Sequence, residues 1–171
     1  MKSKMLICLS LAAGLLAISG SAWAHHSNAL VDKDRLVTMT GTVTKFAFLN
    51  PHVSVYLDVK DPSGKTTNWI TAGGSPLELH RDAGWTNKTF KEGDKILVQG
   101  HPNRDGQPLM QTMRLYRCDS GEEVPLNQAK ENPGEYLSRV PIVTLPPARV
   151  EAVCSGKEQI ADQYGPLANK K

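Results

Sequence analysis

One short helix, marked by three coincident start signals and set between three strand-like runs and two more, constrains this chain more than any other feature. Ser75 stands as N-cap, Pro76 at the first helical position and Glu78 where it closes a capping box; Gly84 ends the helix after about two turns. Before it, residues 36–49 read as one long strand, with Val37, Met39, Gly41 and Val43 on one face and Thr38, Thr40, Thr42 and Thr44 on the other. Past Lys45 the apolar parity flips to Phe46 and Phe48. That flip predicts a bulge or a bend, with Gly41 as the place to bend.

Asn50-Pro51 breaks the first strand, residues 52–59 alternate cleanly, and Asp61-Pro62-Ser63-Gly64 supplies a four-residue turn into a returning strand at 65–72. With that loop length Val55 faces Ile70, and Tyr56 faces Trp69. Residues 95–100 and 108–117 form the last two strands, joined by a turn at 103–106. The order β-β-β-α-β-β is that of the OB-fold, an all-β, small five-stranded Greek-key barrel with its helix between strands three and four. An SH3-like barrel or a small sandwich shares much of this pattern. The barrel domain is placed at 36–117, with Trp85 in its core and His80 structural.

The first 24 residues read as an export signal: Lys2 and Lys4, an apolar run from Met5 to Ile18, and Ala22-Trp23-Ala24 as the cleavage site. The apolar run is about 14 residues, short of the roughly 20 needed to span a bilayer, so no membrane span is expected in the mature protein. Cleavage between Ala24 and His25 would place the protein in the periplasm or outside the cell and start it with His25-His26-Ser27. Without Lys2 and Lys4, the 20 basic residues come close to balancing the 17 acidic ones, and no basic stripe appears. Nucleic acid is therefore not expected as a partner.

Residues 25–35 read as an N-terminal tail and 118–171 as an extension punctuated by Pro125, Pro133, Pro141, Pro146 and Pro147. Within it, Ile142 to Leu145 is expected to add an edge strand. Ser155 to Glu158 repeats the capping-box spacing and predicts a helix from Gly156 to about Tyr164. An oxidising compartment favours a Cys118–Cys154 disulfide strapping the extension to the barrel. The chain-entropy model gives a loop of that length about 4 kcal/mol.

His25-His26-Ser27, Gly41-x-Val43 leading to Asn50-Pro51-His52, and Asp58-Val59 followed by Trp69 form one part of a recurring set. Ser75-Pro76 running to Arg81 and Gly84-Trp85, then Gly93-Asp94 and Arg104-Asp105-Gly106, complete it. Over roughly residues 25–117 this set resembles a family of small exported bacterial proteins filed as a domain of unknown function. Phe48 stands where such proteins are expected to carry tryptophan, and the cysteine-bearing extension lies outside the match. The resemblance implies export and the barrel, and it carries no activity.

Two sites suggest themselves. The terminal amine and imidazole of His25 can chelate Cu(II) together, with His26 or His52 as third ligand, making copper the candidate cofactor; the bland alternative is a frayed terminus. The other is the usual OB ligand surface, with Tyr56 and Trp69 side by side, Asn50 and His52 at the first loop, and His101, Asn103 and Arg104 at the second. It suits a sugar ring, an aromatic small molecule or an extended peptide, unless Ile142, Val143, Leu145 and Val150 of the extension cover the aromatics.

Catalysis finds no support in a G-x-S-x-G, H-E-x-x-H or phosphate-loop motif, and the carboxylates are scattered through turns. The chain therefore reads as a non-enzymatic binding or accessory module. A copper-binding protein and an accessory subunit of an exported enzyme complex are the alternatives.

Overall fold

A computed structural model describes residues 30–126 and 138–160. Its strands are β1 (Val37–Ala47), β2 (Ser54–Lys60), β3 (Thr66–Ala72), β4 (Lys95–Pro102) and β5 (Leu109–Arg117); its helices are α1 (Pro76–Ala83) and α2 (Pro147–Cys154). The strands close into a barrel in the order β1-β2-β3-β5-β4, antiparallel except where β3 meets β5. This is the OB-like barrel that the element order implies.

β1 is shared between two neighbours. Its first half pairs with β4 and its second with β2, and the register slips by one residue between Val43 and Lys45. The slip leaves Thr44 unpaired, so Val43 and Phe46 both face the core, as the parity flip requires. Gly41 lies beside this handover from β4 to β2 and also serves packing: a Cβ there would lie 3.1 Å from both Leu57 Cβ and Val59 Cγ2.

α1 forms as its signals dictate. The Glu78 N–H donates to Ser75 Oγ at 3.3 Å, the Ser75 N–H donates to Glu78 Oε2 at 3.0 Å, and Gly84 turns left-handed at φ +71°. Leu79 points from this helix into a core with Val43, Val55, Leu57, Ile96, Val98 and Leu115. Trp85 is buried there, 5.4 Å edge-to-face from Phe90, with its Nε1–H donating to Pro125 O at 2.7 Å. His80 is structural, its Nδ1 lying 2.8 Å from Trp85 O.

The hairpin of β2 and β3 departs from expectation by one residue. Asp61 Oδ1 accepts from the Ser63 N–H (2.9 Å), the Lys65 N–H (3.0 Å) and the Ser63 hydroxyl (2.6 Å), which draws Lys65 into the loop. The Ser63 hydroxyl is the main reason that the Asp61 carboxyl lies below the usual carboxylate range. With five loop residues, Tyr56 faces Ile70, Leu57 faces Trp69 and Val55 faces Thr71. A one-residue slip exchanges the faces of a strand.

The extension also folds differently from its sequence reading. Residues 142–145 form no strand, and the helix runs over Pro147–Cys154, ending where one was expected to begin. Pro147 supplies the N1 start, while Gly156 at φ +77° closes the C-terminus and the Lys157 N–H donates to Ala152 O at 2.9 Å. Leu145 and Val150 bury a second apolar cluster on Leu97 and Tyr116, and the Leu145 N–H donates to Tyr116 Oη at 3.1 Å. The Cys118–Cys154 disulfide fastens α2 to the end of β5. Gly121, left-handed at φ +69°, lets Pro147 approach so closely that a Cβ would lie 2.9 Å from it.

Upstream of β1, residues 30–35 lie along the end of β4. Asp32 N–H donates to Pro102 O, and Arg104 N–H to Leu30 O, each at 2.8 Å. Arg139 then ties the extension to this segment through Lys33 O (3.0 Å) and the Asp34 carboxylate (3.1 Å). Among the described residues no helix is long and apolar enough to cross a membrane.

Candidate functional site

The end of β3 is where the two loops of an OB-type surface meet. The Gly73 N–H donates to Val53 O and the Val53 N–H to Gly74 O, both at 3.0 Å, which holds the β1–β2 loop (residues 48–53). The Ile70 N–H donates to Pro108 O at 2.9 Å, which holds the β4–β5 loop (residues 103–108) three residues away. Between them the outer face of β1, β2 and β3 presents Lys45, Tyr56 and Ile70, cross-strand neighbours in the ladder. Lys45 Nζ sits 5.2 Å from the centroid of the half-buried Tyr56 ring. Further along the same face, Asn68 Nδ2 donates to Asp58 Oδ1 (2.8 Å) and Thr44 Oγ1 (3.1 Å).

Of the residues singled out in the sequence, Asn50, His52 and Arg104 are exposed in the loops and Tyr56 lies on the outer face. Arg104 Nε is 3.8 Å from Asp32 Oδ1, and its Nη2 is 3.9 Å from Asp34 Oδ2. Asn50-Pro51 is a cis peptide.

Trp69 and His101 do not join them. The slipped register turns Trp69 to the opposite face from Tyr56, where it packs against the barrel core beside Leu57. The proposed Tyr56–Trp69 pair therefore does not form.

His101 is buried because β4 runs on to Pro102, two residues further than the turn signals suggest, and residues 30–35 lie along the end of that strand. Its ring is fully buried on the face that also carries Leu97 and Gln99, with Nδ1 donating to Arg35 O at 2.6 Å. His101 Nε2 has no hydrogen-bond partner among the described residues. Asn103 is also buried.

Lys45, Ile70 and the Thr44–Asp58–Asn68 cluster are the members of this surface that the sequence reading missed; a five-residue hairpin loop would have revealed them. Leu145 and Val150 of the extension are committed to Leu97 and Tyr116 and so do not cover Tyr56.

His25 and His26 lie outside the described residues, and within those residues no group of three or more His, Cys, Asp or Glu could hold a metal ion. Beside the disulfide lies a cleft of about 460 Å³ lined by Asp94, Lys95, Arg117, Asp119 and Glu151. Its charges are mixed, with Arg117 Nη1 3.8 Å from Asp94 Oδ2.

A family of unknown function, DUF6152, matches residues 12–111, more than half of the chain. The chain belongs to this family. The match takes in β1 to β4, the start of β5 and both loops of the surface described above; it stops short of the disulfide and the extension. No curated protein matches the chain.

Among solved structures it is similar to a mitochondrial single-stranded DNA-binding protein of S. cerevisiae, Rim1, at 7% identity over 48% of this chain and 91% of that one, with a TM-score of 0.37. A small single-stranded DNA-binding protein from Streptomyces coelicolor gives 19% identity over 48% and 91%, with a TM-score of 0.35. The N-terminal domain of PriB from Thermoanaerobacter tencongensis gives 16% over 54% and 98%, with a TM-score of 0.30.

Proposed function

We propose that this DUF6152 protein is an exported, non-enzymatic binding module that takes its ligand on the outer face of β1, β2 and β3, between the 48–53 and 103–108 loops. The placement of the extension carries this reading. Leu145, Val150 and the disulfide cover the outer side of β4 and β5, whereas among the described residues nothing of the extension packs on the Lys45–Tyr56–Ile70 face. A flat aromatic ring with a cation above it, next to fixed amide and carboxylate groups, suits a ligand with an apolar face and hydroxyl or amide edges. Export rests on the charge, apolar run and cleavage site of residues 1–24.

Titration of the processed, isotope-labelled protein with panels of oligosaccharides and short peptides tests the reading. Amide shifts clustered at Lys45, Tyr56, Ile70 and Arg104, and lost in Tyr56→Ala, are expected. Shifts confined to α2, or none with either panel, would overturn it.

A second reading is a Cu(II) site on the amine and imidazole of His25, which rests on the residue pattern at the expected new terminus. The Arg104 N–H anchors Leu30 beside the 103–108 loop; five residues upstream, His25 has a reach of about 17 Å from that anchor. Tight Cu(II) binding by the processed protein, lost when one alanine precedes His25, is the outcome this reading requires; equal binding by both proteins rejects it.

A further inference from the structure

In an antiparallel ladder, successive residues turn their N–H and C=O groups alternately toward one neighbouring strand and the other. Asp61 N–H donates to Lys65 O, and Gly73 N–H to Val53 O, which assigns the odd-numbered residues Thr67, Trp69 and Thr71 of β3 to β2. The even-numbered residues face the other way. Ile70 spends its N–H on Pro108 O, and Ala72 lies against Gln111, because β5 accompanies β3 only from Ile70 to Ala72. Thr66 and Asn68 thus direct their N–H and C=O groups at an edge where none of the described strands lies. Among the described residues those groups have no hydrogen-bond partner, and both residues are exposed.

A second observation separates this edge from an ordinary one. Edge strands are commonly blunted by shortness, lysine, proline or a bulge; this edge is short, yet Thr66-Thr67-Asn68-Trp69 carries no lysine, proline or bulge and is rich in strand-favouring types. Its side chains are also ordered in advance. Asn68 is held by Asp58 and Thr44 on the outer face, and Trp69 packs against the barrel core on the other.

We propose that Thr66–Trp69 is a strand-addition site that receives an extended peptide segment of a partner protein. The main chain of the peptide bonds to the N–H and C=O groups of Thr66 and Asn68. Alternate peptide side chains then lie beside Trp69, where an apolar one is favoured, and beside Thr66 and Asn68, where a polar one is favoured. Proline is excluded at the bonded positions. The occupant is a short peptide: the free stretch is only four residues long, which suits a short extended segment, whereas a stable interface between two folded chains takes roughly 800 Å² from each partner. The site goes beyond the Lys45–Tyr56–Ile70 reading and does not depend on it.

The test selects a displayed library of random ten-residue peptides against the processed protein, then synthesises the best binder. Nuclear Overhauser contacts between the peptide backbone and Thr66 and Asn68 are expected. Asn68→Pro should weaken binding about tenfold or more, since it removes an N–H that β2 does not use. Leu77→Ala, on the exposed side of α1, should change affinity less than twofold. If Asn68→Pro fails to fold, the contacts in the unaltered protein decide by themselves. Failure to select any binder overturns the proposal. So does a binder that Tyr56→Ala abolishes and Asn68→Pro leaves alone, which would support the face instead. Concentration-dependent dimerisation through this edge, lost in Asn68→Pro, overturns it in favour of a second copy.

Discussion

The two outer sides of this barrel are finished in different ways. On β4 and β5, Leu97 and Tyr116 turn outward as apolar residues and are buried by Leu145, Val150 and a disulfide-tethered helix. On β2 and β3 the outward residues are Tyr56, Asp58, Asn68 and Ile70, neither buried nor covered by that helix. The family match reaches residue 111, so it contains the open side and omits the cover. An exposed apolar surface draws a cover, whereas a mixed one can stay open for a ligand. The extension is thus part of the structure of one side, and the other side is where recognition is expected.

The sharpest way to break this contrast is Tyr116→Ala, which removes both the ring under α2 and the acceptor for the Leu145 N–H. A loss of about 3–5 kcal/mol in denaturant unfolding is expected; a loss below about 1 kcal/mol would mean that the cover is not packed. Replacing Cys118 and Cys154 with serine should cost about 2–4 kcal/mol, by releasing the 36-residue loop closure. Proteolysis should then cut the extension while sparing the barrel.

Toward the open side the effects shrink. Ser75→Ala removes half of the capping box beside the 48–53 loop and should cost about 1 kcal/mol. The Ser75 backbone N–H, and then its hydroxyl, hold the Glu78 carboxyl below the ordinary glutamate range. That contribution to stability is complete above the unfolded pKa and is lost as the pH falls through the lowered folded value. Acid unfolding of Glu78→Gln should lack this component, and an unchanged acid profile would show the box to be unformed. Arg104→Ala should lie within about 0.5 kcal/mol of the parent, because its ion pairs are long and exposed and its backbone N–H, which survives, holds Leu30.

Local chemistry made much of this legible beforehand. The parity flip at Lys45 announced the bulge at Thr44, Ser75-Pro76-x-Glu78 and Gly84 bounded α1 within one residue, and the two cysteines found each other. What escaped depended on choices between equivalent local signals. Asp61 can close a four- or five-residue loop with the same side chain, and the longer one moves Trp69 to the core side. Ser155-Gly156 carries the spacing of a helix start but ends α2, its hydroxyl donating back to Ala152 O at 3.1 Å. His101 looked like a loop residue because Asn103 to Gly106 does form the turn; the strand simply continues to its edge. In each case the chain took one of two arrangements that the local residues allow, and the residue pattern alone does not say which.

Residue-resolved amide hydrogen exchange on the oxidised, processed protein tests the contrast between the two sides most directly. The Leu145 amide, held by Tyr116 Oη, should exchange as slowly as those of Leu97 and Val98, while the Thr66 and Asn68 amides exchange near their intrinsic rates. Rapid exchange at Leu145 together with protection at Thr66 and Asn68 would contradict the account.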